Sequence, residues 1–180
     1  RGGIRSPQIA QLRFASEHTR ADAGTGAAQD EGFYLINVHM PRSDPDQRIL
    51  HTLVLRDWIA SREQPVVAIG DFNFDYNFGS GSARSGNYAY QAFVWDSLVQ
   101  PVMPDPMVDT NYSERDGRET YPDSMLDLAF ISRSPESWSP TAHILVQAGD
   151  FPDDARTSDH RPLLLNLTGD DIQIPIPGAD

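Results

Sequence analysis

The sequence predicts a mixed α/β layered domain, an α+β sandwich, and three observations carry that prediction. Several short apolar runs have strand length and strand chemistry. One stretch reads as a capped helix with an apolar stripe. Gly, Pro and Ser break the rest of the chain into loops. Many strands with few helices pack as sheets covered by helices rather than as a bundle. With 180 residues, 39% of them hydrophobic, the chain suits one domain with a sizeable core.

The elements follow in order. Gln8 to Phe14 (QIAQLRF) alternates as a strand does, and Ser16 to Gly32 is a small, polar loop. Phe33 to Met40 (FYLINVHM) is an apolar run rich in strand formers, so a buried strand. A helix follows, with Asp44 as N-cap, Pro45 at the first helical position and Gln47 at the third position of a capping box. Leu50, Val54 and Trp58, with Leu53 beside them, form its apolar stripe, and Pro65 closes the segment. Val66 to Gly70 (VVAIG) is a second buried strand. Phe78 to Asn87 reads as a surface loop, Gln91 to Leu98 as a short helix, and Met103 to Asp123 as loop. Met125 to Ser132, Ala142 to Gln147 and Leu163 to Leu167 are the last strands. From Gly169 the chain is expected to run as an extended tail, leaving residues 1–168 as the folded unit.

Composition removes several function classes. There is no cysteine, so thiolate metal sites and cysteine nucleophiles are out. All 14 basic residues are arginine, which excludes a P-loop lysine and a Schiff-base enzyme. No G-x-S-x-G elbow is present. A net charge of −12 is unlike a basic nucleic-acid-binding module, although a nuclease can attract phosphate locally through a cation or a few arginines. No run is long and apolar enough to cross a bilayer, and the expected state is a monomer. Asp71, Asn73, Asp75 and Asn77 alternate like calcium-loop ligands. A calcium loop, however, needs Gly and Glu where Tyr76 and Ser82 stand.

The chemistry-bearing residues lie at the ends of the predicted strands. His39 ends the first buried run, Asp71 and Asn73 follow VVAIG, Asp127 lies early in MLDLAFIS, and Asp159 and His160 precede the last strand. Strand ends of layered folds present polar groups on a rigid base. Taken singly, each of these is better read as a core histidine, a turn or capping aspartate, or a carboxylate paired with an arginine. Their neighbours change the balance: NVH (37–39), GDFN (70–73), SMLD (124–127) and SDHRP (158–162) occur in this order.

This series resembles the endonuclease/exonuclease/phosphatase superfamily, which includes deoxyribonucleases, abasic-site endonucleases, neutral sphingomyelinases and inositol polyphosphate phosphatases. The resemblance runs from about Arg5 to Leu167. It implies a four-layer deoxyribonuclease-like fold and a metal-dependent hydrolase of phosphate esters, nuclease-like and acting on phosphodiesters. His160 resembles the catalytic histidine, with Asp127 orienting it. Asp71 resembles the carboxylate that orients or deprotonates water, and Asn73 the amide on a phosphate oxygen. His39 is similar to a second histidine on the phosphoryl or leaving group, and its presence argues against the abasic-site branch. Asp159 looks like a ligand for Mg²⁺, Mn²⁺ or Ca²⁺, as suits hard oxygen donors.

The sequence departs from the family pattern in three places. The asparagine and the metal-binding glutamate of the family's earlier half have no counterpart here, since Glu17 and Glu31 lie in polar loop. The expectation is therefore a C-terminal part of the domain with its first sheet incomplete, and activity of this chain alone is left open. Leu128 stands where many relatives have an aromatic, which is expected to bear on the substrate cleft. Substrate class divides on the loops around residues 79–90 and 109–123. Arg84, Arg115 and Arg118 read equally well as a lining for a polyanion such as nucleic acid and as solvated loop charges, whereas exposed apolar residues there would favour a lipid headgroup. A phosphomonoesterase and a non-catalytic binding domain are the other readings.

Overall fold

A computed structural model of the chain describes residues 6–13, 32–83, 87–112, 114–115, 118–119, 123–148, 150 and 158–169, with backbone alone at 114–115 and 118–119. Its elements are β1 (Gln8–Arg13), β2 (Gly32–His39), α1 (Pro45–Ala60), β3 (Val66–Asn77), β4 (Ser82–Ala83), α2 (Tyr88–Val94), β5 (Val99–Pro101), β6 (Glu114–Arg115), β7 (Arg118–Glu119), β8 (Ser124–Ser132), β9 (Ser139–Ile144) and β10 (Leu163–Thr168). The expected mixed α/β fold is what forms. The six-stranded sheet runs β1-β2-β3-β8-β5 with β4 paired to β3, and β9 pairs β10 separately. β2 and β3 are parallel, joined through α1, while β8 runs antiparallel to β3.

Alternation of side chains sorts the sheet into two faces. Ile36, Val38, Ala68, Phe72, Leu128 and Phe130 bury on one face against Leu55 and Ile59 of α1 and Ala89 and Phe93 of α2. The opposite face carries Val67 and Ile131, with Phe33 and Leu35, under Trp138, Leu165 and Leu167 from the β9–β10 side. The described residues thus form a helix layer, a main sheet and a two-stranded second sheet. Each buried Phe or Leu contributes roughly 1.5–3 kcal/mol, so the main sheet is a stiff platform.

Helix α1 starts as the sequence predicts. The Asp44 carboxylate accepts the Gln47 backbone N–H at 3.0 Å, and Pro45 opens the first turn. Its buried face is different. Arg48, Thr52, Leu55 and Ile59 turn inward, whereas Leu50 and Val54 of the predicted stripe are 53% and 62% exposed. The polar residues can bury because each has a partner. Arg48 donates to two backbone carbonyls, and the Thr52 hydroxyl donates to the sulfur of Met40 at 3.5 Å. Trp58 of that stripe is half-buried against the core, and with Leu50 and Val54 it borders an open apolar groove of about 430 Å³ that Ile9 and His39 also line.

Several boundaries shift for reasons of pairing. The run VVAIG continues to Asn77, because β8 and then β4 supply hydrogen-bond partners beyond Gly70. The second helix begins at Tyr88 and stops at Val94, leaving Val99–Pro101 free to pair with β8 as an edge strand. Strand β9 starts at Ser139 rather than Ala142, in register with Thr168 of β10. Within the predicted loop 103–123, β6 and β7 form a small hairpin. Phe14 to Glu31, Arg84 and residues 170–180 lie outside the described residues, so the predicted polar loop, one arginine and nearly all of the tail do as well.

Candidate active site

The polar row begins where β2 and β3 end together. Their parallel register sets His39 beside Asp71, and the antiparallel register of β3 and β8 sets Asp71 beside Asp127. Register partners on neighbouring strands point to the same face, about 5 Å apart. His39, Asp71 and Asp127 therefore form a line across three strands, on the face opposite α1 and α2. The line continues off the sheet, where the Nδ1–H of His160 donates to Asp127 Oδ2 at 2.7 Å. His39 Nε2 stands 3.6 Å from Asp71 Oδ2, beyond hydrogen-bond range but within range of an ion pair.

Local sequence explains why the row is sharp. Gly70 has φ +135°, and a Cβ there would overlap the Val38 carbonyl oxygen, so only glycine lets β2 and β3 close just before Asp71. Past Asp71 the β3–β8 register breaks until Tyr76 meets Met125. The extra residues form a bulge in which Asn73 and Asp75 adopt left-handed φ of 51° and 53°. Phe72 and Phe74 bury completely at either side of Asn73 and pin the bulge, with Phe72 4.8 Å from the Phe130 ring. Asn73 ties the bulge together. Its backbone N–H donates to Asp71 Oδ1 at 3.0 Å, and its side-chain amide donates to the Met40 carbonyl at 2.9 Å. At 4% exposure this amide is an internal tie between the ends of β2 and β3.

A strap at residues 110–112, in a loop the sequence marked only as bearing on substrate class, joins the two halves of the His160–Asp127 pair. The Thr110 hydroxyl oxygen accepts the backbone N–H of Leu126 at 2.9 Å and of Asp127 at 3.1 Å. The Thr110 carbonyl accepts the Arg161 N–H at 2.9 Å. The Asn111 side chain donates to the Asp159 carbonyl at 2.8 Å, and the Tyr112 N–H reaches the same oxygen at 3.1 Å. Thr110 and Asn111 are both buried. The strap gives β8 and the 159–161 segment one common frame. Arg161, from SDHRP, adds a bond to the Asp109 carbonyl at 3.0 Å and an ion pair to Asp150. Leu128 lies in the core on the helix side of β8, so it does not line this row and cannot shape a cleft there.

Proximity sets the protonation of the row. The hydrogen bond to Asp127 raises the His160 pKa, burial opposes it, and the charges of Asp127, Asp71 and Asp159 add to the rise. Burial also raises the Asp71 pKa, and repulsion by Asp127 adds to it. The charges of His160 and His39 and the bond from Asn73 pull the other way. A carboxylate of raised pKa is a better base than an ordinary one, and an imidazole held at Nδ1 offers Nε2 for proton transfer. Asp159 is exposed, beside His160. Among the described residues no group of three or more His, Asp or Glu side chains gathers as a metal site.

No protein-family model matches the chain, and no curated protein matches it. Solved structures do. A mannosyl-6-phosphatase of Bacteroides thetaiotaomicron VPI-5482 aligns at 19% identity over 78% of this chain and 52% of that one, with TM-score 0.53. An endonuclease/exonuclease/phosphatase protein from Bacteroides vulgatus aligns at 17% identity over 93% and 66%, with TM-score 0.53. TDP2 of D. rerio, complexed with single-strand DNA product, aligns at 15% identity over 90% and 61%, with TM-score 0.57. This chain therefore spans about half the length of the first. At such identities the likeness is one of fold: the chain has the fold of the endonuclease/exonuclease/phosphatase proteins.

Proposed function

We propose that the chain is the catalytic part of a phosphate-ester hydrolase that acts on phosphodiesters with a nuclease-like site. The observation that carries the reading is the His160–Asp127 hydrogen bond at 2.7 Å, in line with Asp71 and His39 at one end of the sheet. Hydrolysis of a phosphate ester needs an oriented water, charge stabilisation at the phosphoryl oxygens and a proton for the leaving oxygen. Asp71 orients and deprotonates the water. His160, held by Asp127 and biased toward the imidazolium, donates from Nε2 to a phosphoryl or leaving oxygen. His39 faces the same space as a second donor. Asn73 keeps Asp71 and the end of β2 in place. Fold-mates supply the precedent, being a sugar phosphatase in one case and a protein holding a DNA product in another.

Divalent-metal dependence, on Mg²⁺ or else Mn²⁺ or Ca²⁺, belongs to the same proposal, with Asp159 as the ligand this chain offers. Such an ion would neutralise charge on the phosphoryl oxygens. The test is hydrolysis of bis(4-nitrophenyl) phosphate, with 4-nitrophenyl phosphate alongside to detect monoesterase action. Turnover that needs Mg²⁺ or Mn²⁺, stops with EDTA and disappears in His160→Ala supports the reading. Turnover that survives His160→Ala sinks it.

A further inference from the structure

The row depends on the backbone just past His39, and that backbone is held from below by a buried cation. Arg48 of α1 is 6% exposed, and one of its terminal nitrogens, Nη1, donates to the Pro41 carbonyl at 2.6 Å and to the Arg42 carbonyl at 2.8 Å. The preceding residue, Met40, is held on three sides. Its N–H donates to the Asp71 carbonyl at 2.8 Å, its carbonyl accepts from Asn73 and its sulfur accepts from Thr52. Pro41 brings no N–H of its own, so its part of the turn is held through its carbonyl. A guanidinium is more weakly hydrated than an ammonium and so better suited to this buried place. His39 itself projects from the end of this clamped segment and is 46% exposed at its side chain.

We propose that Arg48 is a positioning residue for His39: by clamping the 40–42 turn it keeps the imidazole in line with Asp71. This rests on the phosphoesterase reading above. Arg48 touches no reacting atom in this scheme. Its effect passes through the turn to His39, so loss of the clamp changes the geometry of the bound transition state rather than the affinity for substrate.

The experiment compares the full chain as wild type, Arg48→Lys, Arg48→Met, His39→Ala and the His39→Ala/Arg48→Met pair on bis(4-nitrophenyl) phosphate with Mn²⁺. Arg48→Met is expected to lower kcat on the order of 10²-fold with KM nearly unchanged, as misplacement of a catalytic group does. Arg48→Lys, which keeps a charged donor on a shorter side chain, is expected to restore part of that loss. In the His39→Ala background, Arg48→Met is expected to remove nothing more. Equal losses in both backgrounds would mean that Arg48 serves the fold alone, and would overturn the proposal. If wild type turns over no phosphodiester, the phosphoesterase reading fails for this chain by itself, and the clamp is judged by nuclear magnetic resonance. Arg48→Met should then move the His39 ring signals and speed exchange of the Met40 amide, and unchanged signals would overturn it.

Discussion

At the scale of single residues, the His160–Asp127 pair makes two statements that can be separated. In catalysis, Asp127→Asn keeps the size of the side chain but loses the charge that orients and stabilises the imidazolium. Activity on the aryl phosphodiester is expected to fall by about 10²–10⁴-fold, the usual worth of a positioned acid or base. In stability, the raised His160 pKa means that the folded state binds its proton more tightly than the unfolded chain. That contribution is fully present below about 6.5, the ordinary imidazole value, and is lost as pH rises through the folded value. Thermal melts of wild type and Asp127→Asn across that window should converge toward high pH, and parallel curves would count against it. Asp71 has the same sign with the opposite consequence at neutral pH. Burial and Asp127 disfavour its charged form, so the carboxylate costs stability once ionised. Asp71→Asn is expected to melt at a higher temperature than wild type at pH 7 while losing turnover.

At the scale of elements, the site is built where three strands end and one strap crosses. Thr110 is the strap's centre, accepting two backbone N–H groups and, through its carbonyl, a third. Thr110→Val leaves two N–H groups without that acceptor, which is worth roughly 1–3 kcal/mol for each group left buried and unpaired. Denaturant titration is expected to show a loss of that order. Gly70→Ala forces a methyl group against the β2 backbone, and is expected to cost roughly 1–3 kcal/mol while separating His39 from Asp71. Helix α1 shows how a stripe can mislead. Leu50, Val54 and Trp58 are at helical spacing, and so are Arg48, Thr52, Leu55 and Ile59. Periodicity gives both stripes, and hydrophobicity favours the apolar one. The choice between them rested on carbonyls and a sulfur contributed by residues 40–42, which no helical pattern contains.

At the scale of the whole molecule, the net charge of −12 sets the field a phosphate substrate must enter. Salt shortens the reach of that repulsion, to about 8 Å at physiological ionic strength. kcat/KM for an anionic phosphodiester is therefore expected to rise with added monovalent salt at fixed divalent metal, and a fall would point to attraction by local arginines instead. Among the described residues no helix is long and apolar enough to cross a membrane. Strand β1, at the edge of the sheet, is exposed along all six residues, and the apolar groove lies beside α1.

The sequence by itself determined the fold class, the helix cap and the buried strands, and it nominated the six polar residues, because each leaves a local signature. Alternation, capping chemistry and the GDFN and SDH neighbourhoods are readable within a few positions. Tertiary structure alone decided which of those residues meet. Asp127 and His160 are 33 positions apart, and Asn73 and Met40 are likewise 33 apart. It also decided that Arg48, Thr110 and Asn111 support the row. Their importance lies in backbone carbonyls and amides on distant segments, and a backbone group has the same formula at every position, so no residue pattern announces it.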